Sequence, residues 1–130
     1  MKSALIVEDR PGDIREAAKL MKKLGATEVD VVSAAPMAVL RLEEVIAGSR
    51  PAPDVIILDL NLGIDSGFEV LRFWKTNRQK LSATRIVVWS IMGDREREIV
   101  GHFGAEFVSK SGGLSELERA LKTPNAASRS

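Results

Sequence analysis

The sequence predicts an α/β fold: a five-stranded parallel sheet, doubly wound, with helices on both faces. Three observations point to it. Short apolar, mostly β-branched runs recur along the chain: Ala4-Leu5-Ile6-Val7, Val55-Ile56-Ile57-Leu58, Ile86-Val87-Val88-Trp89 and Phe107-Val108. Longer amphipathic stretches separate them, as helical crossovers between parallel strands require. Each run also stops at a polar residue, respectively Glu8-Asp9, Asp59, Ser90 and Ser109-Lys110. In such a sheet all strands point the same way, and ligands bind beyond their carboxyl ends. Three carboxylates, a hydroxyl and an ammonium would therefore share one shallow crevice.

The elements alternate in order. After the first strand, residues 13–24 place Ile14, Ala17, Ala18, Met21 and Leu24 on one helical face, with Gly25 where a C-cap belongs. Residues 29–32 form a short second strand. Pro36 suits a first helical turn, and Val39, Leu42, Val45 and Ile46 make the next apolar stripe, until Gly48. Two prolines in 49–53 bracket entry to the third strand.

Residues 61–67 lack periodicity and carry two glycines, so they read as a loop. Ser66 is placed to cap a helix over 67–79, with Glu69 as its capping-box partner. After Ser90, Asp94 is a plausible N-cap for a helix over 95–103 that ends at Gly104. The last strand, 106–109, leads through Gly112-Gly113 to a helix aligning Leu114, Leu117 and Leu121. This is a (βα)5 pattern with right-handed crossovers, for which the flavodoxin-like strand order 2-1-3-4-5 is expected. Its switch point falls between the strands ending in Glu8-Asp9 and in Asp59. Residues 1–122 read as one domain, and 123–130, small and polar, as a flexible tail.

Composition narrows the class. The 130 residues suffice for one core, and 45% hydrophobic with 28% charged content is ordinary for a soluble globular domain. A net charge of +1, with both signs interspersed, gives no sign of nucleic-acid or membrane attraction. No run approaches the ~20 apolar residues of a bilayer span, and the N-terminus enters a strand directly instead of a secretory signal. With no cysteine, disulfides and thiolate metal sites are excluded, and a cytoplasmic location is expected.

Carboxylates gathered at one point repel by roughly 4 kcal/mol per pair at about 4 Å and an effective dielectric of about 20. Protonation of one or a bound cation relieves this. A hard ion such as Mg²⁺ accepts one or two carboxylates, keeps water, and fills its sphere with a substrate phosphate. Lys110 adds a compact positive charge and Ser90 a hydroxyl donor. Together they surround the place where a phosphoryl group on Asp59 would sit, an aspartyl phosphate made chiefly by positioning and charge neutralisation.

Glu8-Asp9, Asp59, Ser90 and Lys110, with the segment Asp59-Leu60-Asn61-Leu62-Gly63-Ile64-Asp65-Ser66-Gly67-Phe68-Glu69-Val70-Leu71, resemble the receiver domain of two-component response regulators over nearly the whole chain. The resemblance implies a stand-alone, single-domain phosphoacceptor. Asp59 would take the phosphoryl group. Glu8, Asp9, Asp59 and the Asn61 backbone carbonyl would hold Mg²⁺ or Mn²⁺. Ser90 and Lys110 would bind phosphoryl oxygens. Ser90 and Phe107 would form the switch, reshaping a face that includes Arg95, Glu96, Glu98, His102 and Glu118. Asn61 and Met92 occupy positions that tune self-dephosphorylation in the family.

The implied partners are a sensor histidine kinase or histidine phosphotransfer protein and a downstream protein target, with neither nucleic acid nor membrane. The protein would act as a monomer or a phosphorylation-dependent dimer, catalysing its own phosphoryl transfer and not turnover of a separate substrate. The sequence departs from the family pattern at three points. Gly63 and Ser111 stand where proline is usual, and the acid pair is Glu-Asp instead of Asp-Asp. A cis bond before Ser111 would cost about 2.5–4 kcal/mol, which leaves a trans turn helped by Gly112-Gly113 or a backbone that carries that cost.

Singly, each residue has a plainer reading. Asp9 could cap the first helix, Asp59 could bond loop amides, Ser90 could start a turn, and Lys110 could be solvated. Their joint placement favours the site. Phe107 is equally a core aromatic. Trp74 and Trp89 read as packing, and His102 as a solvated residue. The competing functions are a degenerate receiver that binds constitutively and an aspartyl-nucleophile phosphatase of the haloacid-dehalogenase type. The phosphatase would need an Asp where Asn61 stands and an acidic pair after the lysine. A flavodoxin-like nucleotide or flavin binder is weaker still, because Arg10-Pro11-Gly12-Asp13 is no glycine-rich cradle.

Overall fold

In a computed structural model, which describes residues 2–63, 65–91 and 93–123, the chain alternates strands and helices. The order is β1 (Ser3–Val7), α1 (Pro11–Lys23), β2 (Glu28–Val32), α2 (Ala35–Ile46), β3 (Val55–Leu58), β4 (Asn61–Leu62), β5 (Asp65–Ser66), α3 (Phe68–Thr76), β6 (Arg85–Ser90), α4 (Asp94–His102), β7 (Glu106–Ser109), a 3₁₀ turn (Lys110–Gly112) and α5 (Leu114–Lys122). The main sheet runs β2-β1-β3-β6-β7, all parallel. With the two-residue strands β4 and β5 set aside, this is the expected 2-1-3-4-5 order. Ile64, Met92 and the expected tail past Thr123 lie outside the described residues.

Alternate residues of each central strand enter opposite layers, which is why the strands read as unbroken apolar runs. Leu5, Val7, Ile56, Leu58, Ile86 and Val88 pack beneath α2, α3 and α4. Ala4, Ile6, Val55, Ile57, Val87 and Trp89 pack beneath α1 and α5. Trp74 is wholly buried, and its indole N–H donates to the Thr84 carbonyl at 3.0 Å. Trp89 is buried as well. No helix among the described residues is long and apolar enough to cross a membrane.

Several local expectations are corrected. Asn61–Leu62 and Asp65–Ser66 pair as a small antiparallel ladder in which Asn61 faces Ser66, with Gly63 after the first of them at φ 70°. Proline, locked near φ −65°, could not adopt that angle. Helix α1 begins at Pro11, capped by Arg10 and not by Asp9. Gly67 caps α3, although the Ser66 hydroxyl still accepts the Phe68 N–H at 3.2 Å. The helix ends at Thr76, short of Gln79. Gly93 caps α4, and the Glu96 carboxylate accepts its N–H at 3.2 Å, leaving Asp94 in the first turn. Among the described residues no peptide bond is cis, so the Lys110–Ser111 bond is trans. The Ser109 hydroxyl steadies that turn by accepting the Ser111 N–H at 3.2 Å.

Candidate functional site

Parallel register brings the strand tips together. Val7 pairs with Leu58 and Leu58 with Val88, so β1 and β3 end level while β6 runs on to Ser90, which pairs with Ser109. The ladder continues one residue past the strands: the Glu8 N–H donates to Val32 O at 3.1 Å and the Asp59 N–H to Val7 O at 3.0 Å. Backbone bonds therefore fix where both side chains start. Glu8, Asp59 and Ser90 are buried, whereas Asp9 lies exposed at the rim.

The Asp59 carboxylate is held on both oxygens. Ser90 Oγ donates to Oδ1 at 2.8 Å and the Asn61 N–H donates to the same oxygen at 3.1 Å. Lys110 Nζ donates to Oδ2 at 3.1 Å. The same ammonium reaches Glu8 Oε1 at 2.6 Å and Asp13 Oδ2 at 2.8 Å. Glu8 Oε2 in turn accepts the Asp9 and Arg10 N–H groups at 3.1 and 3.4 Å. Glu8, Asp9 and Asp59 each offer an oxygen within 4.8 Å of the others, a group able to hold a metal ion.

Burial pushes the Glu8 carboxyl up to about 7; Lys110 opposes this and Asp59 adds to it. Burial would raise Asp59 too, but the Asn61 N–H, Glu8, the Ser90 hydroxyl and Lys110 outweigh it and hold Asp59 below its usual range. Burial also works against the Lys110 charge, yet Asp13, Glu8 and Asp59 keep the ammonium above its ordinary value. The two buried acids are thus driven apart, Glu8 upward and Asp59 downward.

No protein-family model matches the chain, and no curated protein matches it either. Solved structures do. The receiver domain of the histidine kinase CKI1 from Arabidopsis thaliana, complexed with Mg²⁺ and BeF₃⁻, has TM-score 0.75 and 25% identity over 93% of this chain and 87% of that one. The phosphorylated cyanobacterial phytochrome response regulator RcpA has TM-score 0.69 and 27% identity over 93% and 89%. It has the fold of a response-regulator receiver domain. The Mn²⁺-bound form of response regulator Rcp1 agrees, with TM-score 0.72 and 25% identity over 93% and 89%. This likeness supports, in general terms, a phosphoacceptor role in two-component signalling.

Within the receiver fold, Glu8, Asp59, Ser90 and Lys110 meet as the sequence implies, with Asp9 beside them. Asn61 contributes its N–H to Asp59 and its side chain is exposed. Phe107 is half-buried against the α2–α4 layer, with the Arg97 guanidinium 4.9 Å from its ring. Glu118 does not join the α4 face: it bonds Lys23 of α1 at 3.2 Å and Lys122 at 2.9 Å. Sequence reasoning missed Asp13. No local signal marked it, because its contact joins α1 to the turn after β7 across 97 residues.

The two carboxyl shifts make stability depend on pH. In the folded protein Glu8 binds its proton more tightly than in the unfolded chain, so its stabilising effect is whole below 4.5 and lost as pH rises through about 7. Asp59 acts oppositely: its effect is present above 3.8 and lost as pH falls through its lower folded value. Across neutral pH the Glu8 contribution should therefore make stability fall as pH rises. Urea unfolding at a series of pH values checks this, and stability that is flat or rising through that range would contradict it.

Proposed function

We propose that this protein is a response regulator that accepts a phosphoryl group on Asp59 with a divalent cation and thereby changes a protein-binding face. The supporting observation is the Asp59 carboxylate itself, which is ionised, buried and gripped by Ser90 on one oxygen and Lys110 on the other. The donor set of Glu8, Asp9 and Asp59 consists of hard oxygen ligands with an excess of negative charge, which fits Mg²⁺ or Mn²⁺. These residues would hold the ion, together with the Asn61 carbonyl. When bound, such an ion neutralises charge on the transferring phosphoryl group.

In the step itself, an Asp59 oxygen attacks phosphorus and the bond from phosphorus to the donor's nitrogen or acyl oxygen breaks. That bond's electron pair leaves with the donor, a histidine kinase, a histidine phosphotransfer protein or a small acyl phosphate. Lys110 and Ser90 are already aimed at the two Asp59 oxygens and would donate to the phosphoryl oxygens. Water later reverses the modification, so the chain acts on itself and turns over no separate substrate.

The regulated face comprises α4, β7 and α5. A groove of about 510 Å³ opens there beside Arg97, Phe107, Glu116 and Arg119. Movement of Ser90 toward the phosphoryl group would let the half-buried Phe107 turn inward and reshape that groove for a downstream protein. The phosphatase alternative finds no support in the arrangement of its acids, because Glu116 pairs with Arg119 and Glu118 with Lys23, away from the crevice.

Incubation with acetyl phosphate and Mg²⁺, followed by intact-mass spectrometry, tests this reading. The expected result is a gain of one phosphoryl group that chelation prevents and hydroxylamine removes. Folded protein that gains none under these conditions would end the phosphoacceptor assignment.

A further inference from the structure

Lys110 begins the 3₁₀ turn after β7, and its ammonium carries three N–H donors. All three are spent on carboxylates: Glu8 at 2.6 Å, Asp13 at 2.8 Å and Asp59 at 3.1 Å. The Trp89 ring lies 5.1 Å from the same nitrogen. Two of these carboxylates, Glu8 and Asp59, also belong with Asp9 to the group able to hold a cation, and Asp13 does not. A carboxylate committed to a cation attracts an ammonium less. Asp13 is then the acid left to hold the lysine.

We propose that Asp13 is a positioning residue for phosphoryl uptake, its carboxylate keeping the Lys110 ammonium at the strand tips while Glu8 and Asp59 serve the cation and the incoming phosphoryl group. This inference rests on the phosphoacceptor reading. Its physical need is plain in the chain that carries the lysine. A lysine side chain holds about 2 kcal/mol of rotamer entropy. The turn after Lys110 is fixed through its backbone, the Gly113 N–H donating to Lys110 O at 3.1 Å, but that bond does not reach the ammonium at the far end of the side chain. Asp13 sits on a formed helix and supplies the fixed end of the contact. It leaves two ammonium donors free for phosphoryl oxygens.

The test compares wild type, Asp13→Asn and Asp13→Glu by acetyl phosphate loading at saturating Mg²⁺ and by calorimetric Mg²⁺ affinity. Loss of an outer partner that orients a metal ligand costs about 10–100-fold, and the lower end of that range is the expected effect for a lysine oriented by one carboxylate. Asp13→Asn should therefore load about tenfold more slowly while Mg²⁺ affinity changes less than about threefold, and Asp13→Glu should recover most of the rate. In a Lys110→Met background the same Asp13→Asn change should have no further effect. Wild-type loading by Asp13→Asn would overturn the inference. An equal loss with or without Lys110, or a parallel loss of Mg²⁺ affinity, would do the same. Failure of the wild type to load would instead remove the phosphoacceptor reading, so the two failures are distinguishable.

Discussion

An Asp59→Asn protein is expected to take up no phosphoryl group from acetyl phosphate and Mg²⁺, while folding as the wild type does. The amide has the carboxylate's shape, so it can still accept from Ser90 and from the Asn61 N–H, which lie 2.8 and 3.1 Å from Oδ1. What it lacks is the oxygen anion that would attack phosphorus and one of the three carboxylates able to hold a cation. Unfolding in urea should therefore differ from wild type by about 1 kcal/mol, an ordinary point-substitution effect. The substitution should also lower the Glu8 pKa from about 7, since Asp59 is one of the influences that raise it, and only burial would be left to oppose Lys110. Mass spectrometry with peptide mapping decides the outcome. A phosphoryl group retained elsewhere, on the exposed Asp9 for example, would move the assignment to that residue.

Much of this site is legible in the sequence because a parallel sheet converts chain order into place. Where Val7, Leu58 and Trp89 end their apolar runs, the next polar side chains must emerge at one end of the sheet, and the register puts them within bonding distance. Helix faces were readable for the same reason, through the 3.6-residue spacing of Ala17 and Met21 or of Leu117 and Leu121, although the buried Leu20 was not among the residues read on that face. Helix starts were not. Arg10, Gly67 and Gly93 occupy the cap positions without a side-chain capping bond, so the nearby Asp9, Ser66 and Asp94 were the more visible candidates.

The ladder of 61–62 with 65–66 is too short to show alternation. Partnerships between distant elements were hidden too. Asp13 and Glu118 look like ordinary helix-surface acids, and only tertiary packing sends one to Lys110 and the other to Lys23.

Gly67→Ala should destabilise the protein by about 3 kcal/mol, an overpacking effect at the upper end of its usual range. Backbone conformation is not the cause, because Gly67 has φ −61° and ψ −17°, a helical pair that alanine adopts readily. The cause is space. A Cβ at Gly67 would lie 2.4 Å from the Asp59 carbonyl oxygen and 2.8 Å from Leu60 Cα, both backbone atoms that no rotamer change can move aside. Relief requires α3 to retreat or the 59–60 backbone to shift. The Gly67 N–H to Leu60 O bond at 3.0 Å ties those two segments together, so either movement displaces the Asp59 carboxylate.

Phosphoryl loading should therefore fall along with stability. Gly12→Ala is the matched control: it lies within α1, and a Cβ there meets nothing within 4 Å. Alanine at that site should gain roughly 0.5–1 kcal/mol through helix propensity alone. Urea unfolding of the two variants side by side separates crowding from propensity. Equal stabilities would mean that the helix-to-strand approach at Gly67 is looser than 2.4 Å, and that Asp59 is not braced from behind by α3.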